Sequence, residues 1–149
     1  LDLGCGIGRF AAALAPRVAG VIGLDVSPAM VSAARRTCAS FGNVEIRQGD
    51  GLGLGEIAGG SLDLVLAVDS FPYLVQAGGT LAADHVASAA RALVPGGTLA
   101  ILNYSYRGDP ARDREDLARL AARSGLALRP RETLGLQHWD AEAFLLDRT

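Results

Sequence analysis

The chain has 149 residues, of which 50 % are hydrophobic and 20 % charged, enough for one soluble domain with a core of its own. Its formal net charge is −2 and no basic run is present, so a nucleic-acid backbone is not the expected partner. All fourteen basic residues are arginine, so a P-loop lysine and a Schiff-base lysine are both excluded.

Cys5 and Cys38 are too few and too far apart in sequence for a disulfide framework or a zinc cluster, and no metal is expected. No apolar run reaches membrane-spanning length and no secretory signal is visible, so a cytoplasmic protein without a membrane partner is the reading. The chain opens without Met, inside an apolar strand. A preceding segment, including a helix before this strand, is therefore expected to be missing.

The first strand, Leu1-Asp2-Leu3, runs into Gly4-Cys5-Gly6-Ile7-Gly8 and then into a helical pattern from Phe10 that stops near Pro16. Glycines at alternate positions let the backbone turn tightly and meet a ligand with no Cβ between. Residues 18–24 read as a strand buried on both faces, ending at Asp25. Ser27-Pro28 is an N-cap followed by proline at the first helical position, and the helix continues to about Phe41-Gly42. Residues 44–48 alternate as a third strand, closed by Gly49-Asp50-Gly51, and residues 52–60 form a glycine-rich loop.

Residues 62–68 form the fourth strand, with Asp69 next and a loop through Gly79. A helix over 81–93, a turn at Pro95-Gly96-Gly97 and a fifth strand over 98–103 follow. An amphipathic helix over 112–124 stops at Gly125, a sixth strand runs from 126 to about 134, and a seventh covers 142–148. Strands alternating with helices predict a doubly wound, mostly parallel α/β sheet in a single domain over 1–149. No helix separates the last two strands, so the seventh is expected to be antiparallel.

The glycine spacing departs from the dinucleotide fingerprint, which needs its third glycine where Arg9 stands. With Asp2, it resembles D-x-G-x-G-x-G, motif I of the class I S-adenosylmethionine-dependent methyltransferases. A Rossmann-like seven-stranded sheet with an antiparallel last strand is also that family's fold. The resemblance covers nearly all of the chain and implies S-adenosylmethionine as cofactor.

It further implies that Asp25 grips the ribose diol, that Val26 lies on the adenine face, and that Asp50 and Gly51 read the adenine edge. Gly4, Gly6 and Gly8 would wrap the methionine part and Cys5 would lend backbone. Asp2 would face the methionine ammonium or buttress the loop. Ala67 and Val68 would offer a carbonyl to the same ammonium. Met30 and His85 read as structural.

Ligands in a parallel sheet sit beyond the carboxyl ends of the strands. The loops there carry Tyr73, Tyr104, Tyr106 and Trp139, which suggests an aromatic-lined pocket for a small molecule. Phe71, Tyr73, Tyr104 and Trp139 are the candidate substrate contacts. Asp69 and His138 are the candidate general bases, and Arg107 is a candidate for an anionic group. Ser70-Phe71-Pro72-Tyr73 is similar to the (Asp/Asn/Ser)-Pro-Pro-(Tyr/Phe) segment of amino-group methyltransferases, with Phe71 in place of the first proline.

The expected function is methyl transfer to an O, N or C atom of a small molecule. The alternatives are an NAD(P)-dependent oxidoreductase with a degenerate fingerprint and a non-catalytic cofactor-binding subunit. Composition says nothing about oligomeric state.

Overall fold

The computed structural model describes residues 1–103, 105, 107–130 and 142–149. The chain divides into two compact units, Leu1–Glu56 and Ile57–Thr149.

The first unit begins with β1 (Asp2–Leu3) and α1 (Arg9–Leu14), which tightens into a 3-10 turn over Ala15–Arg17 where Pro16 ends the helix. Next come β2 (Val21–Asp25), α2 (Pro28–Thr37) and β3 (Val44–Gln48). The three strands are parallel in the order β3-β2-β1. The register sets Asp2 beside Gly23 and Asp25 beside Gln48, so the strand ends finish close together. Helix α2 starts as the sequence predicts: Ser27 Oγ accepts the Met30 amide at 3.4 Å and Pro28 takes the first position, where its missing N–H costs nothing. The core beneath is made of Cys5, Ala11, Val21, Val31, Ala34, Cys38 and Ile46.

The second unit holds β4 (Leu62–Val68), α3 (Phe71–Ala77), α4 (Leu81–Ala92), β5 (Leu93–Asn103), α5 (Pro110–Arg123), β6 (Leu126–Leu128) and β7 (Glu142–Arg148). Its strand order is β4-β5-β7-β6. β4 and β5 are parallel, and β7 is antiparallel to both β5 and β6. The seven strands therefore make up the expected mostly parallel α/β class with an antiparallel last strand.

Several elements differ from the sequence reading. Residues expected to form a loop after Asp69 include helix α3, which begins with Pro72 in its first turn and hides Phe71 in the core. The Pro95-Gly96-Gly97 turn lies within the long β5 as a register shift against β4, so the strand starts five residues earlier than expected. Helix α5 also starts earlier, at Pro110, because Asp109 Oδ1 accepts the Ala111 and Arg112 amides at 3.1 and 3.2 Å. Asp147 of β7 links β5 to Arg129, the residue that follows β6. It accepts Thr98 Oγ1 at 2.7 Å and both Nε and a terminal nitrogen of Arg129, which holds its carboxyl below the usual range.

Candidate cofactor-binding site

The glycine loop is built by hydrogen bonds to β2. The Gly4 and Cys5 amides both donate to the Leu24 carbonyl, at 2.8 and 3.0 Å. The Gly6 amide donates to Asp25 Oδ2 at 2.8 Å, and the Gly8 amide to the Cys5 carbonyl at 2.9 Å. Four loop donors are thus spent inside the protein. A pyrophosphate would need such donors, whereas a cationic group would not.

Gly6 and Gly8 have left-handed backbones, with φ of 53° and 83°, but for different ends. A Cβ on Gly6 would meet nothing within 4 Å, so the loop opens there onto space that a ligand can fill. A Cβ on Gly8 would lie 3.1 Å from Ala34 Cα and Cβ and from Cys38 Sγ. Gly8 is buried, and its backbone lets the loop approach α2.

Asp25, at the end of β2, is half-buried and held at both oxygens: Oδ2 by Gly6 and Oδ1 by the Ser27 amide at 2.9 Å. Each oxygen keeps a second lone-pair direction for a hydroxyl. At the end of β3, Asp50 Oδ1 accepts the Leu52 amide at 2.9 Å, a local turn that leaves Asp50 and Leu52 exposed. Gly51 comes against Val26, whose Cγ1 would lie 3.1 Å from a Cβ placed there. Val26 and Leu52 are 58 % and 70 % exposed. Two large apolar side chains stand open beside two carboxylates. Leu52 was not foreseen from sequence; its signal is an apolar residue directly after an Asp-Gly turn.

Asp2 is 2 % exposed, and its Oδ2 has no hydrogen-bond partner. Burial pushes its carboxyl up to about 6, against the pull of an Ala11 backbone hydrogen bond. Cys5 is a buried free thiol pushed up to about 12, first by burial and then by the Asp2 charge, so it is no nucleophile near neutral pH.

A family model described as "Methyltransferase domain" matches residues 1–97. The chain belongs to the S-adenosylmethionine-dependent methyltransferases of class I.

Solved structures agree with this in fold. CalS10, an amino pentose methyltransferase from Micromonospora echinaspora solved with bound S-adenosylmethionine, is 20 % identical with a TM-score of 0.77, over 99 % of this chain and 82 % of that one. A TehB-like S-adenosylmethionine-dependent methyltransferase from Corynebacterium glutamicum is 22 % identical with a TM-score of 0.74, over 99 % and 78 %. Phosphoethanolamine N-methyltransferase 1 of Haemonchus contortus is 26 % identical with a TM-score of 0.63, over 70 % and 22 %. The chain spans 62 % of the length of YcgJ from Bacillus subtilis, to which it is 20 % identical with a TM-score of 0.72 over 88 % of its own length. No curated protein sequence matches it.

The methyltransferase's cofactor is S-adenosylmethionine, and the first unit fits it on its own geometry. The buried, unpartnered Asp2 oxygen suits a nearby cation, the open face at Gly6 leaves room, and Asp25 keeps lone pairs for a diol. Nothing in the loop requires an anion.

The remaining expected residues lie in the second unit. Ala67 is wholly buried near the end of β4. Asp69 is exposed, with φ of 52°, the one non-glycine residue with positive φ among those described, and its amide donates to the Leu102 carbonyl at 2.8 Å. Tyr73 is 71 % exposed on α3. Phe71 does not line a substrate pocket as expected: at 1 % exposure it anchors α3 into the core, because its helix turns the ring inward. His85 is buried in α4, with Nδ1 2.8 Å from the Leu81 carbonyl. Tyr104, Tyr106, His138 and Trp139 lie outside the described residues. Among the described residues no group of acids, histidines and cysteines could hold a metal, and no helix is long and apolar enough to cross a membrane.

Proposed function

We propose that this methyltransferase transfers the methyl group of S-adenosylmethionine to an O, N or C atom of a small-molecule acceptor in the cytoplasm. The observation that carries the choice of cofactor site is the spent glycine loop. Its amides at Gly4, Cys5, Gly6 and Gly8 are bonded within the protein, which argues against a dinucleotide's pyrophosphate and for a sulfonium nucleoside.

When bound, the cofactor supplies an activated methyl on a positively charged sulfur. The chain's own residues position it. Asp25 accepts the two ribose hydroxyls from a carboxylate already fixed by Gly6 and Ser27. Val26 and Leu52 cover the adenine faces, while Asp50 and the Gly51 amide meet its edge. Asp2, with Gly4 and Gly6, faces the methionine end, and Gly8 and Cys5 hold the loop's shape. Positioning of this kind supplies most of the rate for a pre-activated group.

For a hydroxyl acceptor, Asp69 is the proposed base and Tyr73 a proposed contact, with His138, Tyr104 and Trp139 as further acceptor-side candidates. A small acceptor is supported by the acidic net charge and by two similar structures named for small acceptors, an amino pentose and phosphoethanolamine.

Titration calorimetry with S-adenosylhomocysteine and with NADH tests the reading. Tight binding of the first and none of the second is expected, followed by radiolabelled methyl transfer to a panel of small alcohols, amines and activated carbon acids. Heat from NADH alone would overturn it.

A further inference from the structure

The second unit holds a cleft of about 330 Å3 between α3, α4 and α5. None of its lining residues belongs to the proposed cofactor site. Leu74 of α3 and Leu120 of α5 give it an apolar lining. Arg107, Arg119 and Arg123 stand around it, against a single lining acid, Asp116. On α5, Asp116, Arg119, Leu120 and Arg123 fall at spacings of three, four and seven, so they share one face of the helix.

Asp116 pairs with Arg107 through one oxygen and with Arg119 through the other, which holds the two guanidiniums side by side. Three lining arginines less one lining acid leave two positive charges in excess. Asp113, buried behind Arg107 at 3.8 Å, reduces that to one. This local excess sits in a chain whose net charge is −2. A guanidinium has five N–H donors in a planar fork, so Arg119 retains donors after meeting Asp116, and Arg123 is exposed beside it. Crowded guanidiniums on an apolar lining repel one another, and an anion relieves that cost.

The size of the cleft sets the ligand. It lies near the low end of the range for small-molecule pockets, roughly 300–1,000 Å3. We propose that the cleft binds a small amphipathic acid, a carboxylate or a phosphate monoester on an apolar body no larger than a single ring. The guanidiniums take the anionic group and the leucines take the body. The pocket's chemistry does not depend on what happens at the glycine loop.

The test uses the whole chain and four probes: benzoate, phenyl phosphate, inorganic phosphate and benzyl alcohol, each followed by protein NMR titration. Benzoate, phenyl phosphate or both should bind about tenfold more tightly than benzyl alcohol, and the stronger of the two identifies the anionic group. Phenyl phosphate should also exceed inorganic phosphate. Arg123→Gln should weaken the better acid about tenfold, and Arg119→Gln likewise, with unchanged melting temperature as the control for folding. Equal binding of the alcohol, equal binding of inorganic phosphate, no binding of either acid, or affinity indifferent to both substitutions would each overturn the proposal. Because S-adenosylhomocysteine is absent from these titrations, failure here is distinct from failure of the methyl-transfer reading.

Discussion

Asp25 Oδ2 accepts the Gly6 amide at 2.8 Å. One carboxylate at the end of β2 therefore shapes the loop that leaves β1, and in the proposed site the same carboxylate takes the ribose. On that proposal loop geometry and ligand affinity are coupled through this bond, because neither the loop nor the acid can move without losing it.

Asp25→Ala should lose about 2–4 kcal/mol of S-adenosylhomocysteine affinity, since a charge-assisted contact disappears and the loop loosens with it. The Gly6 and Ser27 amides also lose their acceptor, so thermal stability should drop as well. Calorimetric titration and a melting curve measure the two effects separately. Unchanged affinity would remove Asp25 from the site.

Gly6 and Gly8, two of the loop's three positive-φ glycines, should respond differently to alanine. Gly8→Ala places a methyl 3.1 Å from α2 atoms and should destabilise the fold by about 1–3 kcal/mol. Gly6→Ala meets no neighbour and should cost about 1 kcal/mol of backbone strain, while blocking the ligand's space. Denaturant unfolding should thus rank Gly8→Ala as the less stable variant, and cofactor titration should show the affinity loss of Gly6→Ala exceeding what its stability change explains.

The carboxyl of Asp2 titrates near 6 in the folded chain, against an ordinary value of 3.8. A raised pKa means the folded state holds the proton longer than the unfolded state does. Stability without cofactor is therefore greatest below pH about 4 as far as this group is concerned, and declines as pH rises to about 6, by an amount on the order of 2–3 kcal/mol. Asp2→Asn should flatten that decline in urea unfolding measured across pH 4–7. An ammonium placed by Asp2 in the proposed site favours the ionised acid, so S-adenosylhomocysteine affinity should rise from pH 5 to pH 7 in the wild type and less so in the variant.

Asp69 holds φ of 52°, a conformation that costs a non-glycine residue roughly 1 kcal/mol. Asp69→Gly should raise the melting temperature by a few degrees for a domain of this size. If the acid serves as a base, the same variant should lose turnover on hydroxyl acceptors with little change in cofactor affinity. A more stable and equally active variant would leave Asp69 a turn residue only.

Much of the fold was legible because short-range chemistry decides it. The apolar runs give β3, β4 and β7 their observed bounds, and Ser27-Pro28 starts α2 where an N-cap and a first-turn proline must. The glycine spacing and the acids at the ends of β1, β2 and β3 were visible for the same reason: each is a residue type fixed by its place at a strand end. Helix α3 was not legible. Seven residues starting Phe71-Pro72 are too few to display a helical period, and only burial of Phe71 shows why they coil.

Contacts between distant residues belonged to tertiary structure alone. Sequence could not tell that Gly8 faces Ala34 and Cys38 while Gly6 faces open space, since both occupy the same motif. It could not tell that Asp2 would be sealed with one oxygen unmatched, or that Asp116 would draw Arg107 and Arg119 together over an apolar cleft. Residue type and spacing set what each side chain can do, but direction and burial arise from packing among segments far apart in the chain, and those two quantities decide which groups stay open to a ligand.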